Sequence, residues 1–267
     1  MKNDTENAEK LTPMLEQYFA VKKQNPDYLL FYRMGDFYEM FFEDAIKAAA
    51  ALDITLTKRG KKNGKDVPMC GVPFHSYEGY LARLIKQGFK VAICEQTEDP
   101  VEARKRGSQS LVNRDVIRLI TPGTLTEDNL LKAGDANFLA ALCDIKGVWA
   151  LAWTDMSTGD FNVQTVPCSA PALSGALARL APKEILLPEK MLKTPDLFEL
   201  FNDYKKELTP LPDVRFSFEN GQKRLEAFFS VATLDSFGVF ENAEIAAAGA
   251  LLDYIDLTQK GAMPRLN

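Results

Sequence analysis

Apolar and polar positions along this chain change period several times, and each change marks an element. Thr12-Pro13 has the form of a helix start, and Met14, Tyr18 and Val21 lie along one stripe of the helix it opens. The run Leu29-Leu30-Phe31-Tyr32-Arg33-Met34 enters a Gly35-Asp36 turn, and Phe37-Tyr38-Glu39-Met40-Phe41 leaves it, which predicts two tightly joined strands. Glu43 to Leu52 is alanine-rich and acidic at its start, as a helix prefers. Leu52 to Thr57 alternates and predicts a strand, and the glycine- and lysine-rich stretch Arg59 to Asp66 predicts a mobile loop. Ser76 opens a helix on which Tyr77, Tyr80, Leu81, Leu84 and Ile85 recur at helical spacing, with Gly88 at its end. Lys90 to Glu95 is expected as a buried strand, Arg104 to Ser108 as a basic loop, and Val116 to Ile120 as a last strand.

Pro122-Gly123 then punctuates the chain and places a domain boundary between Thr121 and Asp128. The expected organisation is a first domain over 1–121, a linker over 122–127 and a second domain over 128–267. In the second, Phe138 to Asp144, Val148 to Thr154 and Asp160 to Thr165 are separated by turn residues and predict an antiparallel meander. Helices over 170–180, 220–229 and 242–254 and a strand over 184–187 follow. The fold class is α/β, with a mixed-sheet domain followed by one of ribonuclease-H-like layers.

Composition changes this picture in one respect. The net charge of −5 and a pI near 5.2 argue, taken whole, against a nucleic-acid partner. Between Lys58 and Arg118, however, thirteen basic residues face seven acidic ones, so that segment carries +6 and the rest −11. A basic segment on an acidic protein is a footprint for phosphate neutralisation, although most charge runs are merely solvated. Four scattered cysteines and one histidine make a zinc site improbable and fit free thiols in a reducing cytosol. The polar first residues are no signal peptide, and no apolar stretch approaches the ~20 residues of a membrane span. A cytoplasmic protein is expected.

Side chains alternate on the second strand, so Phe37, Glu39 and Phe41 share one face and Tyr38 and Met40 the other. A carboxylate two residues from an aromatic is an odd choice for a core. It is tolerable as an edge-strand charge beside a core aromatic, and the residues alone favour that plainer reading. The same pair suits a protein that wedges a ring into stacked bases and tests the displaced base with an acceptor.

Leu30-Phe31-Tyr32-Arg33-Met34-Gly35-Asp36-Phe37-Tyr38-Glu39 resembles the motif of the MutS family of DNA mismatch-recognition proteins. Further blocks follow in the family's order: 52–60, Pro68 to His75, Val91 to Gln96, and Thr121 to Thr124. Asp155 to Gly159 and Phe237-Gly238-Val239 match more loosely. The resemblance implies an N-terminal fragment carrying a mismatch-binding domain and a connector domain. It implies Phe37 as a minor-groove wedge and Glu39 as the acceptor for the displaced base, initiating mismatch repair on mismatched or looped-out double-stranded DNA. A MutL-type partner meeting the connector domain and a homodimer of the full-length protein are implied too. ATP and magnesium would be needed only by a C-terminal ATPase outside this stretch, so the fragment should be no enzyme and hold no cofactor.

Other residues divide by position. Lys58 and Arg59 close the expected strand and are candidates for backbone contacts beside the wedge, and Lys61, Lys62 and Lys65 for sequence-independent contacts from the loop. Met34 and Met69 line the groove or belong to the core. Gly60 to Asp66 imitates a phosphate-binding loop but has one residue too few between its glycines and an aspartate where magnesium needs Ser or Thr. Two rivals remain: a metal-dependent nuclease using Asp144, Asp155 and Asp160, and a purely protein-docking module. Asp155 and Asp160 flank a Ser-Thr-Gly turn, where turn chemistry alone explains them.

Overall fold

The computed structural model describes residues 12–62, 64–107, 110–125 and 136–266, and the chain divides after Ile120 into two compact units. In the first, α1 (Pro13–Gln24) starts where Thr12 accepts the Leu15 amide at 3.4 Å and Pro13 fills the first turn. Strands β1 (Leu29–Met34) and β2 (Phe37–Phe41) form a two-residue hairpin with Met34 opposite Phe37. Gly35 takes a φ of +59° there, which a side chain would resist. The unit continues through α2 (Phe42–Leu52), β3 (Thr57–Lys62), β4 (Lys65–Pro73), α3 (Tyr77–Lys86), β5 (Val91–Gln96), α4 (Pro100–Lys105) and β6 (Arg114–Ile120). The sheet order is β3-β4-β2-β1-β5-β6, and only the β1–β5 pair is parallel.

Helix α1 lies on one face of this sheet, where the Tyr18 ring meets Tyr32 and Phe41 edge-on at 5.6 and 5.1 Å. Leu30, Val67, Ala92 and Cys94 complete that core. On the opposite face Cys70 donates to the Ala45 carbonyl of α2, and Tyr38 packs on Tyr77 of α3. Burial raises the Cys70 thiol to about 11 and the Cys94 thiol to about 12, so both are neutral core side chains.

Three sequence expectations need correction in this unit. Of the strand expected over Leu52 to Thr57, Leu52 ends α2, Asp53 closes it in the left-handed region, residues 54–56 are irregular, and the strand begins only at Thr57. The stretch expected as a mobile loop is the β3–β4 hairpin, a lysine-rich edge strand whose exposed residues hide it from hydrophobic patterning. Arg104 and Lys105, expected in a loop, end helix α4 behind an Asp99 cap.

The second unit is built on β7 (Phe138–Ile145), β8 (Val148–Asp155) and β9 (Asp160–Val166), an antiparallel meander. After α5 (Ala170–Leu180), strand β10 (Glu184–Pro188) pairs parallel to β7; after α6 (Phe198–Asp203), β11 (Leu208–Leu211) pairs parallel to β10. The order β11-β10-β7-β8-β9 is a mixed five-stranded sheet of the expected layered kind. Leu173 and Leu177 of α5 share a core with Leu142, Leu151 and Leu187. Helices α7 (Phe218–Phe229) and α8 (Asn242–Gln259) supply the core with Leu139, Ala141, Ala150 and Ala152.

Thr121, assigned above to the first domain, and residues 122–125 of the expected linker fall in this second unit. Glu184, fully buried, accepts from the Thr121 hydroxyl at 2.5 Å, the Gly123 amide at 3.2 Å, the Thr209 hydroxyl at 2.6 Å and the Tyr254 hydroxyl at 2.8 Å. A buried carboxylate needs such partners, and it anchors the Thr-Pro-Gly-Thr segment to β10. Residues 126–135, the rest of the expected linker and the start of the second domain, lie outside the described residues.

Candidate functional site

Phe37 is the first residue of β2 after the Gly35-Asp36 turn, and it is 47% exposed while every neighbouring aromatic of β1 and β2 is buried. Glu39 follows on the same face, half-buried. The strand pairing sets Pro73 opposite Phe37, Gly71 opposite Glu39 and Met69 opposite Phe41. Gly71 therefore leaves a bare stretch of β4 beside the pair. A Cβ there would lie 3.7 Å from Phe37 Cδ1 and 3.8 Å from Glu39 Cγ. Pattern reading passed over Gly71, because nothing in its flanking residues shows what it faces.

The hairpin tip is braced from behind. The Arg33 guanidinium sits 3.3 Å from the centre of the Phe74 ring, its Nε donates to the Gly35 carbonyl at 2.5 Å, and its Nη1 lies 3.5 Å from Glu95. Tyr38 donates its hydroxyl to Glu95, and burial followed by that carboxylate pushes the phenol far above its usual range. The Phe74 amide donates to the Asp36 carbonyl at 2.8 Å. Side chains carried on such a braced hairpin are held in one geometry.

Arg59 is where structure departs most from the sequence reading. Lys58 pairs with Pro68 and Lys61 with Asp66, so Arg59 and Gly60 face one residue of β4, a bulge in which Gly60 has a φ of +70°. Bulges re-aim side chains. Arg59 Nη1 donates to both Glu39 oxygens, at 2.8 and 2.6 Å, across a sheet in which β4 lies between β3 and β2. One nitrogen thus straddles the whole carboxylate, and the Nε and Nη2 protons are not used on it.

The remaining expected site residues scatter. Lys58 bonds Asp66 at 2.7 Å, which holds its ammonium more firmly protonated. Lys62 is half-buried, its Nζ 4.1 Å from the centre of the Phe19 ring and 5.3 Å from that of Phe42, so it rests on the α1 side of the core. Lys61 and Lys65 are exposed on the hairpin's two strands. Met34 is half-buried at the hairpin's end beside Arg114, whose Nη2 lies 3.6 Å from its sulfur; Met69 is half-buried between Thr57 and Phe41. Arg114, counted in the basic segment, is spent on the Arg33 carbonyl at 2.8 Å and on Gln17 at 2.9 Å.

The three aspartates of the nuclease reading do not converge as a set: Asp155 and Asp160 are cross-strand partners, but Asp144 is remote from both. Asp144 pairs with Trp149 at one end of β8, while Asp155 ends that strand six residues on, roughly 20 Å away at strand rise. Asp144 accepts the Gly147 amide at 3.0 Å and Asp160 the Thr158 hydroxyl at 2.8 Å, both turn contacts. Burial opposes ionisation of Asp155. Hydrogen bonds from Ser157 and the Asn137 amide outweigh it and hold the carboxyl below its usual range.

The geometry describes a two-unit α/β module that presents an aromatic and a paired carboxylate from a braced hairpin. The chain belongs to the MutS family: the family descriptions MutS domain I and MutS domain II match residues 12–129 and 137–267. Relatives carry the name DNA mismatch repair protein MutS. That of Ruegeria pomeroyi is 55% identical over 256 residues, covering 96% of this chain and 29% of the relative. That of Paracoccus denitrificans is 56% identical over 253 residues, covering 95% and 28%. The chain spans under a third of the length of the curated relatives it matches.

Proposed function

We propose that these two domains recognise mispaired or looped-out bases in double-stranded DNA, with Phe37 as the wedge and Glu39 as the hydrogen-bond acceptor for the displaced base. The observation that carries this reading is an exposed Phe37 on a rigid hairpin, on one face with a carboxylate. Inserting an apolar ring into the minor groove costs a few kcal/mol of unstacking per step. A mispaired base has already lost part of its stacking, and its step bends more readily, so the same wedge discriminates lesions without reading sequence. Exposed Lys61 and Lys65 supply backbone contacts that position without specifying.

The name shared by the relatives supports mismatch repair as the setting. Within it, the second domain serves as a connector that meets a MutL-type partner, and homodimerisation, ATP and magnesium belong to the longer protein. These domains carry out no chemistry themselves and work in the cytoplasm; among the described residues no helix is long and apolar enough to cross a membrane. The test is duplex binding by the full-length protein over a salt series, using matched, mismatched and single-base-loop DNA. Phe37→Ala should bring lesion affinity down to that for matched duplex with an unchanged melting temperature. Retained discrimination would remove the wedge from the mechanism.

A further inference from the structure

Glu39 poses an electrostatic difficulty for any duplex that approaches it. A carboxylate within several ångströms of phosphates is repelled, whether or not a displaced base is there to bond it. The structure contains an answer in Arg59. Its Nη1 covers both carboxylate oxygens, the bulge at Gly60 turns the strand there, and Gly71 places no side chain opposite the acid. The arginine side chain is 45% exposed and the glutamate 14%, so the pair stands at the surface with the acid on its inner side.

Resting on the reading of Glu39 given above, we infer that Arg59 is a positioning and specificity-setting residue that acts through Glu39. It neutralises the carboxylate as matched or damaged duplex approaches, and it fixes the orientation in which the acid meets a base. A carboxylate has about four lone-pair sites, and Nη1 occupies two, so a displaced base still finds an acceptor. Sharing those electrons with Arg59 weakens the acceptor. The arginine therefore favours loading on any duplex and tempers the preference for lesions. That differs from a phosphate contact, which strengthens all binding alike and does not depend on Glu39.

A double-mutant cycle on the full-length protein separates the two roles. Matched and single-base-loop duplex affinities are measured over a salt series for wild type, Arg59→Ala, Glu39→Gln and the pair, with Phe37→Ala alongside. Arg59→Ala should weaken matched-duplex binding about tenfold, the scale of one uncompensated charge near phosphate. It should weaken loop binding less, so the ratio of loop to matched affinity rises. In the Glu39→Gln background the same substitution should change matched binding less than about twofold, because the charge to be neutralised is gone. Equal losses in both backgrounds, with the salt slope falling by about one, would make Arg59 a phosphate contact and overturn the inference. No effect of Arg59→Ala in either background would overturn it equally. Phe37→Ala reports separately: discrimination that survives it defeats the wedge reading, whatever the cycle shows.

Discussion

Gly71 stands directly opposite Glu39 on the neighbouring strand, and a Cβ on it would lie 3.4 Å from the Tyr38 carbonyl oxygen and in ordinary contact with both Phe37 and Glu39. The backbone accepts a methyl group here, but a longer side chain would extend from a point already in contact with both Phe37 and Glu39. Gly71→Leu should therefore lower lesion affinity by at least about tenfold, while the added bulk costs the fold about 1–3 kcal/mol. Duplex titration beside a thermal melt checks it. Undiminished lesion binding would show that the bases do not enter between these residues.

The lysines of the β3–β4 hairpin should split into two kinds. Lys61 and Lys65 are exposed, and replacing both with alanine should weaken matched and damaged duplex alike, flattening the salt slope by about 0.9 per lost contact. Lys62 lies over Phe19 and should behave as a structural residue. Lys62→Ala should cost about 0.5–1 kcal/mol of stability and leave the salt slope nearly unchanged. A selective loss of lesion binding in the double lysine variant would mean that the hairpin reads the damage itself.

What the sequence reveals here follows where side chains are buried. The β1–β2 hairpin was legible because its apolar runs flank a Gly-Asp turn, and the β7–β9 meander because turn residues separate three apolar runs. Strand β3 was not: Thr-Lys-Arg-Gly-Lys-Lys has no apolar position, and only its pairing to β4 makes it a strand. Phe37 and Glu39 were placed on one face by period alone. Their support was hidden, since Arg59 reaches Glu39 across twenty residues and a bulge, and Glu95 reaches Tyr38 across fifty-seven. Glu184 shows the same limit, because nothing local marks it as the buried anchor of Thr121 and Gly123.

Helices α7 and α8 cross at two glycines. A Cβ on Gly249 would lie 2.2 Å from Gly221 Cα, and one on Gly221 would lie 2.7 Å from the Ile245 carbonyl oxygen. Neither neighbour is a flexible side chain, so the helices must separate. Gly249→Ala should cost about 3 kcal/mol, near the upper range for overpacking, and lower the melting midpoint by about 10 °C. Gly175, in α5 with nothing within 4 Å of its Cβ position, is the control. Gly175→Ala should raise stability by about 0.5–1 kcal/mol. Equal effects at both sites would mean that the α7–α8 crossing is loose.

Asp155 links the second unit to acid. Its carboxylate is buried, accepting the Asn137 amide at 2.8 Å, the Ser157 amide at 2.9 Å and the Ser157 hydroxyl at 2.6 Å. Burial alone would raise its pKa, but these donors more than compensate and leave it lowered. A group whose folded pKa lies below its unfolded value, about 3.9 for aspartate, adds stability that is fully present above that value. The contribution disappears as pH falls through the lower, folded value. Asp155→Asn should thus cost about 1–3 kcal/mol at neutral pH, since an amide cannot accept from all three donors with equal strength. The gap between variant and wild-type melting temperatures should narrow as pH drops below about 4, because the wild type loses there what the variant never had. Melting curves from pH 7 to 2 measure this directly. A gap that stays constant across the range would show that the hydrogen bonds at the β8 turn do not favour the ionised carboxylate.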